Sequence, residues 1–335
     1  MRRLAASLIL LILVLPGCNR NKDSRPAFAF ITNGSANFWE YARAGANAAG
    51  DAENVKVSVI VPTEGMTDQT RKIEDLLTRG IDGIAVTPID PKNQVETLNK
   101  AAAKTLLITH DSDAPQSNRL VYIGMDNYQA GLVCGKTFRD AMPDGGKVMI
   151  FIGRVDQDNS KRRRQGFIDG FLGRDPDPSR DDPSGGEISS ADKKFTVLGT
   201  MVDNFDMIKA KQNVEDAATK YPDISGMVGL FEYNPQMIIE ALGPLHKLGK
   251  VKIMGFDENF ATLRGIQDGT VVATIVQNPY QYGYQSIHVL NELHKGNKSV
   301  IPKSGFIDIP LRVITKSNVD EFAAECRKLL GKESD

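Results

Sequence analysis

The chain has 335 residues, with 41 basic against 42 acidic side chains and a formal net charge of −1. That balance leaves no electrostatic footprint for nucleic acid, and a chain of this length exceeds what one hydrophobic core ordinarily serves, so two domains are the default expectation. Besides Cys18 there are only Cys134 and Cys326, both in helical patterns with no metal-ligand spacing, which reads as two buried free thiols.

Arg2 and Arg3 precede an apolar run, Leu4 to Val14, too short for a permanent membrane span and suited to a signal-peptide core. Leu15-Pro16-Gly17-Cys18 follows and resembles the bacterial lipobox, in which the cysteine is diacylated and becomes the first residue. Residues 1–17 are therefore expected to be removed, which takes two Arg and no acid and leaves 39 basic against 42 acidic residues. Residues 18–26 are polar and patternless, a lipid-anchored tether.

Strands and helices then alternate. Ala27 to Thr32 reads as a buried strand, followed by a helix capped by Asn37 with Glu40 three residues on. Strand Val55 to Val61, a helix with Ile73, Leu76 and Leu77 on one face, and strand Gly83 to Val86 come next. A helix over Pro91 to Ala103 has Asp90 as cap and Pro91 at its first position. Strands from Thr105 and from Leu120 to Ile123 close this half.

The same grammar restarts with helix Asn127 to Ala141 and strand Lys147 to Ile152. Helix Asn159 to Leu172, strand Phe195 to Met201, helix Asp206 to Lys220, strand Ser225 to Leu230, helix Pro235 to Leu248 and strand Val251 to Gly255 follow. Such alternation predicts an α/β fold with parallel sheets covered by helices on both faces. The Pro- and Gly-rich stretch from Asp175 to Gly186 reads as an inserted surface loop, because the alternation resumes beyond it.

Two strands run directly into planar polar residues, Val251-Lys-Ile-Met-Gly-Phe-Asp257 and Ala273-Thr-Ile-Val-Gln277. In wound α/β sheets ligands bind at the carboxyl ends of strands, so Asp257 and Gln277 imply a polar small-molecule cleft. The Gly-Phe-Asp and Thr-Ile-x-Gln wording closely resembles the ribose-binding branch of the type I periplasmic sugar-binding proteins, from about Phe28 to Thr315. The resemblance implies two similar doubly wound parallel-sheet lobes joined by three hinge crossovers, near Asp126-Asn127, Gln277-Asn278 and Phe306 to Ile309. It divides the chain into an N-terminal lobe, 27–126 plus 278–305, and a C-terminal lobe, 127–277 plus 306–335, with the ligand between them.

The same resemblance implies a set of ligand residues. Phe38 and Trp39 match the aromatic pair that lies against a sugar ring; adjacent helical positions cannot both face the core, so at least one should point into the cleft. Asp111 matches the carboxylate that accepts from two sugar hydroxyls, although Ser112 follows it where the family often has Arg. Asp113 reads as a turn residue. Within Lys161-Arg-Arg-Arg-Gln165-Gly-Phe167 the spacing to the Phe selects Arg163, leaving Arg162 and Arg164 as surface charge. Phe205 matches an aromatic on the second lobe, and Asn234 matches an amide or acid position, with Phe231, Glu232 and Tyr233 as alternatives in the same turn. Asp257 and Gln277 complete the set.

Carboxylates, one Arg and amides around a polyol suit binding better than catalysis. Neither a Gly-x-Gly-x-x-Gly after the first strand nor a P-loop motif is present, so no cofactor is expected. His288 and His294, six apart, do not share a helix face; His246 sits beside Lys247 among polar neighbours; His110, which precedes Asp111 and could reach the cleft, reads as a neutral structural histidine. The leading expectation is a periplasmic or cell-surface lipoprotein, a monomer, that passes a monosaccharide (pentose or hexose) to the permease of an ABC transporter. The alternative is a sensor feeding a membrane receptor or kinase. A regulator of the lac repressor type would carry a DNA-binding headpiece where the lipobox-like segment stands, and a carbohydrate-processing enzyme would show turnover.

Overall fold

Two sheets arise from this alternation. The computed structural model describes residues 23–331; the signal-like segment 1–17, Cys18 and the tether as far as Lys22 lie outside the described residues.

The first sheet contains β1 (Ala27–Ile31), β2 (Lys56–Ile60), β3 (Gly83–Val86), β4 (Leu106–His110), β5 (Tyr122–Gly124) and, from late in the chain, β12 (Phe306–Asp308). Their order is β12-β5-β4-β3-β1-β2 and every pairing is parallel. β3, Gly-Ile-Ala-Val, is buried throughout, the continuous apolar pattern of a strand covered on both faces. One face is covered by α1 (Asn37–Glu53) and α9 (Pro279–His294), the other by α2 (Gly65–Arg79) and α3 (Val95–Ala102).

The second sheet contains β6 (Gly146–Ile152), β7 (Ile188–Ser189), β8 (Phe195–Val202), β9 (Gly226–Gly229), β10 (Lys252–Phe256), β11 (Val271–Val276) and β13 (Arg312–Ile314). The order is β13-β11-β10-β9-β6-β8-β7, with only the edge strands β13 and β7 antiparallel. α4 (Asn127–Asp140) and α5 (Asp158–Leu172) cover one face; α6 (Met207–Lys220), α7 (Asn234–Leu242), α8 (Phe260–Asp268) and α10 (Val319–Leu329) cover the other. Cys134 and Cys326 are buried free thiols.

α4 and α5 approach so closely that a Cβ on Gly131 would lie 2.0 Å from the Arg163 carbonyl oxygen, and one on Gly166 2.0 Å from that of Tyr128. Only glycine permits this contact, which fixes the height of Arg163 on α5. The chain crosses between sheets at residues 125–127, 276–279 and 308–312. The last passage corrects the expected boundary at 306: β12 pairs with β5 from Phe306↔Tyr122 to Asp308↔Gly124, and the Phe306 and Tyr122 rings stack at 5.3 Å.

Local chemistry moved several element ends. Ala36, not Asn37, precedes α1, and it makes no side-chain cap bond. α3 starts at Val95 instead of Pro91, because the Asp90 carboxylate accepts from the Asn93 N–H at 3.0 Å and side-chain amide at 2.6 Å, closing a turn. α7 ends at Leu242, before Gly243-Pro244. The stretch from Asp175 to Gly186 is indeed an irregular loop, but Arg164 is not surface charge. It is buried and donates to Thr200 Oγ1 at 2.7 Å, the Asp182 carbonyl at 2.8 Å and the Pro183 carbonyl at 2.7 Å, which ties the loop to α5.

Candidate ligand-binding cleft

A cleft of about 1010 Å³ opens between the carboxyl ends of the two sheets. Phe38, Trp39, Asp111, Arg163, Phe205, Asp257 and Gln277 all line it. Seven of the expected side chains therefore meet in one space, Asp257 and Gln277 where the strand-end rule put them and the others where the resemblance did.

Phe38 and Trp39 stand in the first turn of α1, at the mouth of the β1 end. Both contribute to the first lobe's core while also lining the cleft, their rings meeting edge to face at 4.8 Å. Trp39 packs edge-on against His110 at 5.8 Å, and His110 stacks on Phe30 at 3.9 Å. His110 is fully buried beneath these rings, and burial lowers its pKa to about 3. It is a neutral support.

Asp111 directly follows β4 with φ 60°, its N–H donating to the Ile123 carbonyl at 3.0 Å. One carboxylate oxygen accepts from Thr87 Oγ1 at 3.0 Å. Burial, reinforced by the nearby Asp257 and opposed by Arg163 and Thr87, pushes Asp111 up to about 7. Asp113 points away from the cleft into an ion pair with Arg119 at 2.5 Å.

Arg163 is 1 % exposed, and its partners explain how so buried a cation is tolerated. Nε and Nη2 donate to Asn127 Oδ1 at 3.2 and 2.9 Å, while Nη1 donates to the Leu230 carbonyl at 2.7 Å and lies 3.9 Å from Asp257. The guanidinium also lies over the Phe256 ring at 4.0 Å. Asp257, with φ 64°, accepts from Gln277 Nε2 at 2.9 Å, and Tyr282 donates to Gln277 Oε1 at 3.0 Å. Burial raises the Asp257 pKa against the opposing effects of Arg163 and Gln277. Asn127 and Gln277 stand at two of the crossovers, so this network runs along the hinge.

Phe205 also has a positive φ, 64°, and its ring meets Phe231 at 5.6 Å. Asn234 corrects the expectation for this region, since it does not line the cleft. Its amide donates to Asp203 at 3.0 Å and accepts from the Phe231 N–H at 3.2 Å. Asp203 also accepts from the Phe205 N–H at 2.8 Å and Tyr233 hydroxyl at 2.5 Å, so Asn234 braces the aromatic wall from behind. Phe231, Glu232 and Tyr233, from the same turn, do reach the cleft. Glu232 accepts from Asn259 at 2.7 Å; burial raises its pKa, while Asn259 and Asn37, the latter from across the cleft, pull it down.

Asn33, Arg43, Arg154, Asn159 and Gln236 also line the cleft and were not anticipated. Asn33 and Arg154 each lie just beyond the end of a strand, β1 and β6 respectively, so the strand-end rule applied to every strand would have found them.

Comparison with known proteins agrees with this geometry. The family model described as "Periplasmic binding protein domain" matches residues 27–298. The ribose import binding protein of Salmonella typhimurium is 25% identical over 299 residues, covering 88% of this chain and 93% of that protein. Its namesake in Bacillus subtilis is 25% identical over 266 residues, 78% of each chain. A solved ABC transporter solute-binding protein from Burkholderia graminis, in complex with D-arabinose, superposes with a TM-score of 0.79 at 27% identity, covering 89% of this chain and 98% of that one. With a matching model that spans most of its length and the two-lobed fold behind it, the chain belongs to the periplasmic binding protein domain family.

Proposed function

We propose that the cleft binds a monosaccharide, a pentose or hexose, and that the protein delivers it to an ABC transporter permease. The observation that carries this reading is the pairing of Asp111 and Asp257 around Arg163, with aromatic rings of both lobes bordering the same space. Carboxylates, a guanidinium and Gln277 hold vicinal hydroxyls in paired hydrogen bonds, and the rings take the apolar C–H faces of a sugar. Four acids, Glu40, Asp111, Glu232 and Asp257, stand beside Arg43, Arg154 and Arg163. Acids and arginines in nearly equal number, all with hydrogen-bonding capacity, suit an uncharged polyol. The ligands named for relatives of this chain, ribose, D-arabinose and, in an Agrobacterium vitis protein, D-fucose, belong to that class.

Binding without turnover fits this lining, in which Arg163, Asp257 and Gln277 hold one another in place. The lipobox-like segment supports tethering outside the cytoplasm through a lipid on Cys18. A thermal-shift screen of pentoses, hexoses and polyols tests the proposal, because a ligand that binds only the folded state stabilises it in proportion to the logarithm of its concentration over Kd. Failure of every sugar to raise Tm, with Tm movement by another class of solute, would overturn it.

A further inference from the structure

Behind Asp257 and Gln277 lies a second, small cavity of about 20 Å³. Its wall joins both lobes: Tyr41 comes from α1, Asn278 to Tyr280 from the second crossover, Arg312 from β13, and Glu325 and Cys326 from α10. Glu258 faces this space, buried, and neither carboxylate oxygen has a hydrogen-bond partner among the described residues. Tyr41 belongs to the first lobe by sequence, but it packs in the second lobe's apolar cluster with Val276, Ile314, Phe322 and Cys326.

An ionised, unpartnered carboxylate in such a place is strongly disfavoured, so the group keeps its proton. The surrounding acids, Asp257, Glu232 and Glu325, push in that direction, and only a backbone N–H of its own loop opposes them. Burial first, then Asp257 on its own loop and Glu232 on the turn before α7, raise the Glu258 pKa well above the carboxylate range. Arg312, the cation facing it, is paired with Glu325 at 2.7 Å; Tyr41 and Cys326 bring no charge. Opening the lobes must withdraw Tyr41, the residue that α1 contributes, and admit water to Glu258.

We propose that Tyr41, seated against Glu258 and Cys326, is a latch that favours the closed arrangement of the lobes and couples closure to the uptake of one proton at Glu258. Acid then favours the closed form and alkali the open one. The consequence for affinity rests on the sugar-binding reading above, whereas the latch itself is tested without ligand.

Scattering from the ligand-free protein on either side of neutrality should give a larger radius of gyration in alkali. Glu258→Gln keeps the shape and cannot ionise, so it should stay compact in both buffers. Tyr41→Ala should be expanded in both, and Tyr41→Phe compact in acid; should Tyr41→Ala fail to fold, Tyr41→Leu takes its place. With a sugar that binds, Tyr41→Ala should speed dissociation by about tenfold, within the usual range of site coupling. A wild-type profile that ignores pH, or a Glu258→Gln profile that follows pH as wild type does, overturns the proton coupling. Tyr41→Ala as compact as wild type overturns the latch. If no sugar binds but the scattering behaves as expected, the ligand class is wrong and the latch stands.

Discussion

Asp111 and Asp257 occupy equivalent places in the two lobes. Each is the first residue beyond its strand, at φ 60° and 64°, and each donates its N–H to a carbonyl in the next strand, Ile123 at 3.0 Å and Ile275 at 2.7 Å. A left-handed backbone is uncommon for residues other than glycine, though Asp tolerates it better than most. Both lobes hold this conformation at the point where the strand delivers a carboxylate into the cleft.

Burial of these acids has a consequence for stability. Asp111 titrates near 7 in the folded protein against an ordinary value of 3.8, so the folded state binds more protons than the unfolded one between those values. Stability should therefore fall as pH rises from about 4 to 7 and level off above. Asp257 and Glu232 act in the same direction. Asp111→Asn, which keeps the shape and tolerates the same backbone, should flatten part of that decline in urea unfolding of the ligand-free protein. An equally steep decline in the variant would assign it to the other acids.

The three consecutive arginines of α5 should separate cleanly. Arg163→Ala should weaken sugar binding by roughly 2–5 kcal/mol, because its loss strands buried groups of ligand and protein. Arg164→Ala should leave affinity unchanged and lower stability by roughly 1–3 kcal/mol, since the carbonyls of Asp182 and Pro183 lose their donor. Arg162, exposed and 3.6 Å from Asp126, should alter either quantity by no more than about 0.5 kcal/mol. Calorimetry for affinity and chemical denaturation for stability check all three; equal affinity losses at Arg162 and Arg163 would refute the assignment.

The contrast within this helix shows what a sequence discloses and what it withholds. Apolar runs ending in Asp257 and Gln277 were legible because a buried strand must surface somewhere, and polar residues mark the place. Arg164 was not, because its burial depends on a loop near Asp182 whose path no local pattern encodes. Asn234 was misjudged for a related reason: in Phe231-Glu-Tyr-Asn-Pro235 four residues can each face a ligand, and Asp203, thirty-one residues earlier, decides that Asn234 faces inward. β12 and β13 span three residues each, too few for periodicity to show, which displaced the last boundary.

Closely packed helices should transmit damage to the cleft. Gly131→Ala would force a methyl group onto the Arg163 carbonyl oxygen, 2.0 Å away, and α4 and α5 would have to part. Overpacking of this kind costs roughly 1–3 kcal/mol of stability. Sugar affinity should fall with it, as Arg163 shifts from Asn127 and Asp257. A variant with lowered Tm and unchanged affinity would show that the helix contact does not set the position of Arg163.

Membrane attachment is tested independently of the cleft. Cys18→Ala should abolish acyl labelling and move the protein from the membrane fraction to the soluble one. Unchanged labelling and fractionation would refute a lipid on Cys18.

Trp39 is the only tryptophan in the chain, and it lines the cleft while packing against His110 and Phe38. A sugar laid against it changes the solvation of the indole, so intrinsic emission should report occupancy as a saturable titration. Asp257→Ala removes a carboxylate that Gln277 and Arg163 orient from either side. The response at matched sugar concentration should then vanish while the circular dichroism of the fold persists, because this acid supports the ligand and not the apolar core beneath it. An undiminished emission change in Asp257→Ala would show that the carboxylate at the end of β10 serves the hinge network and that the sugar is held elsewhere in the cleft.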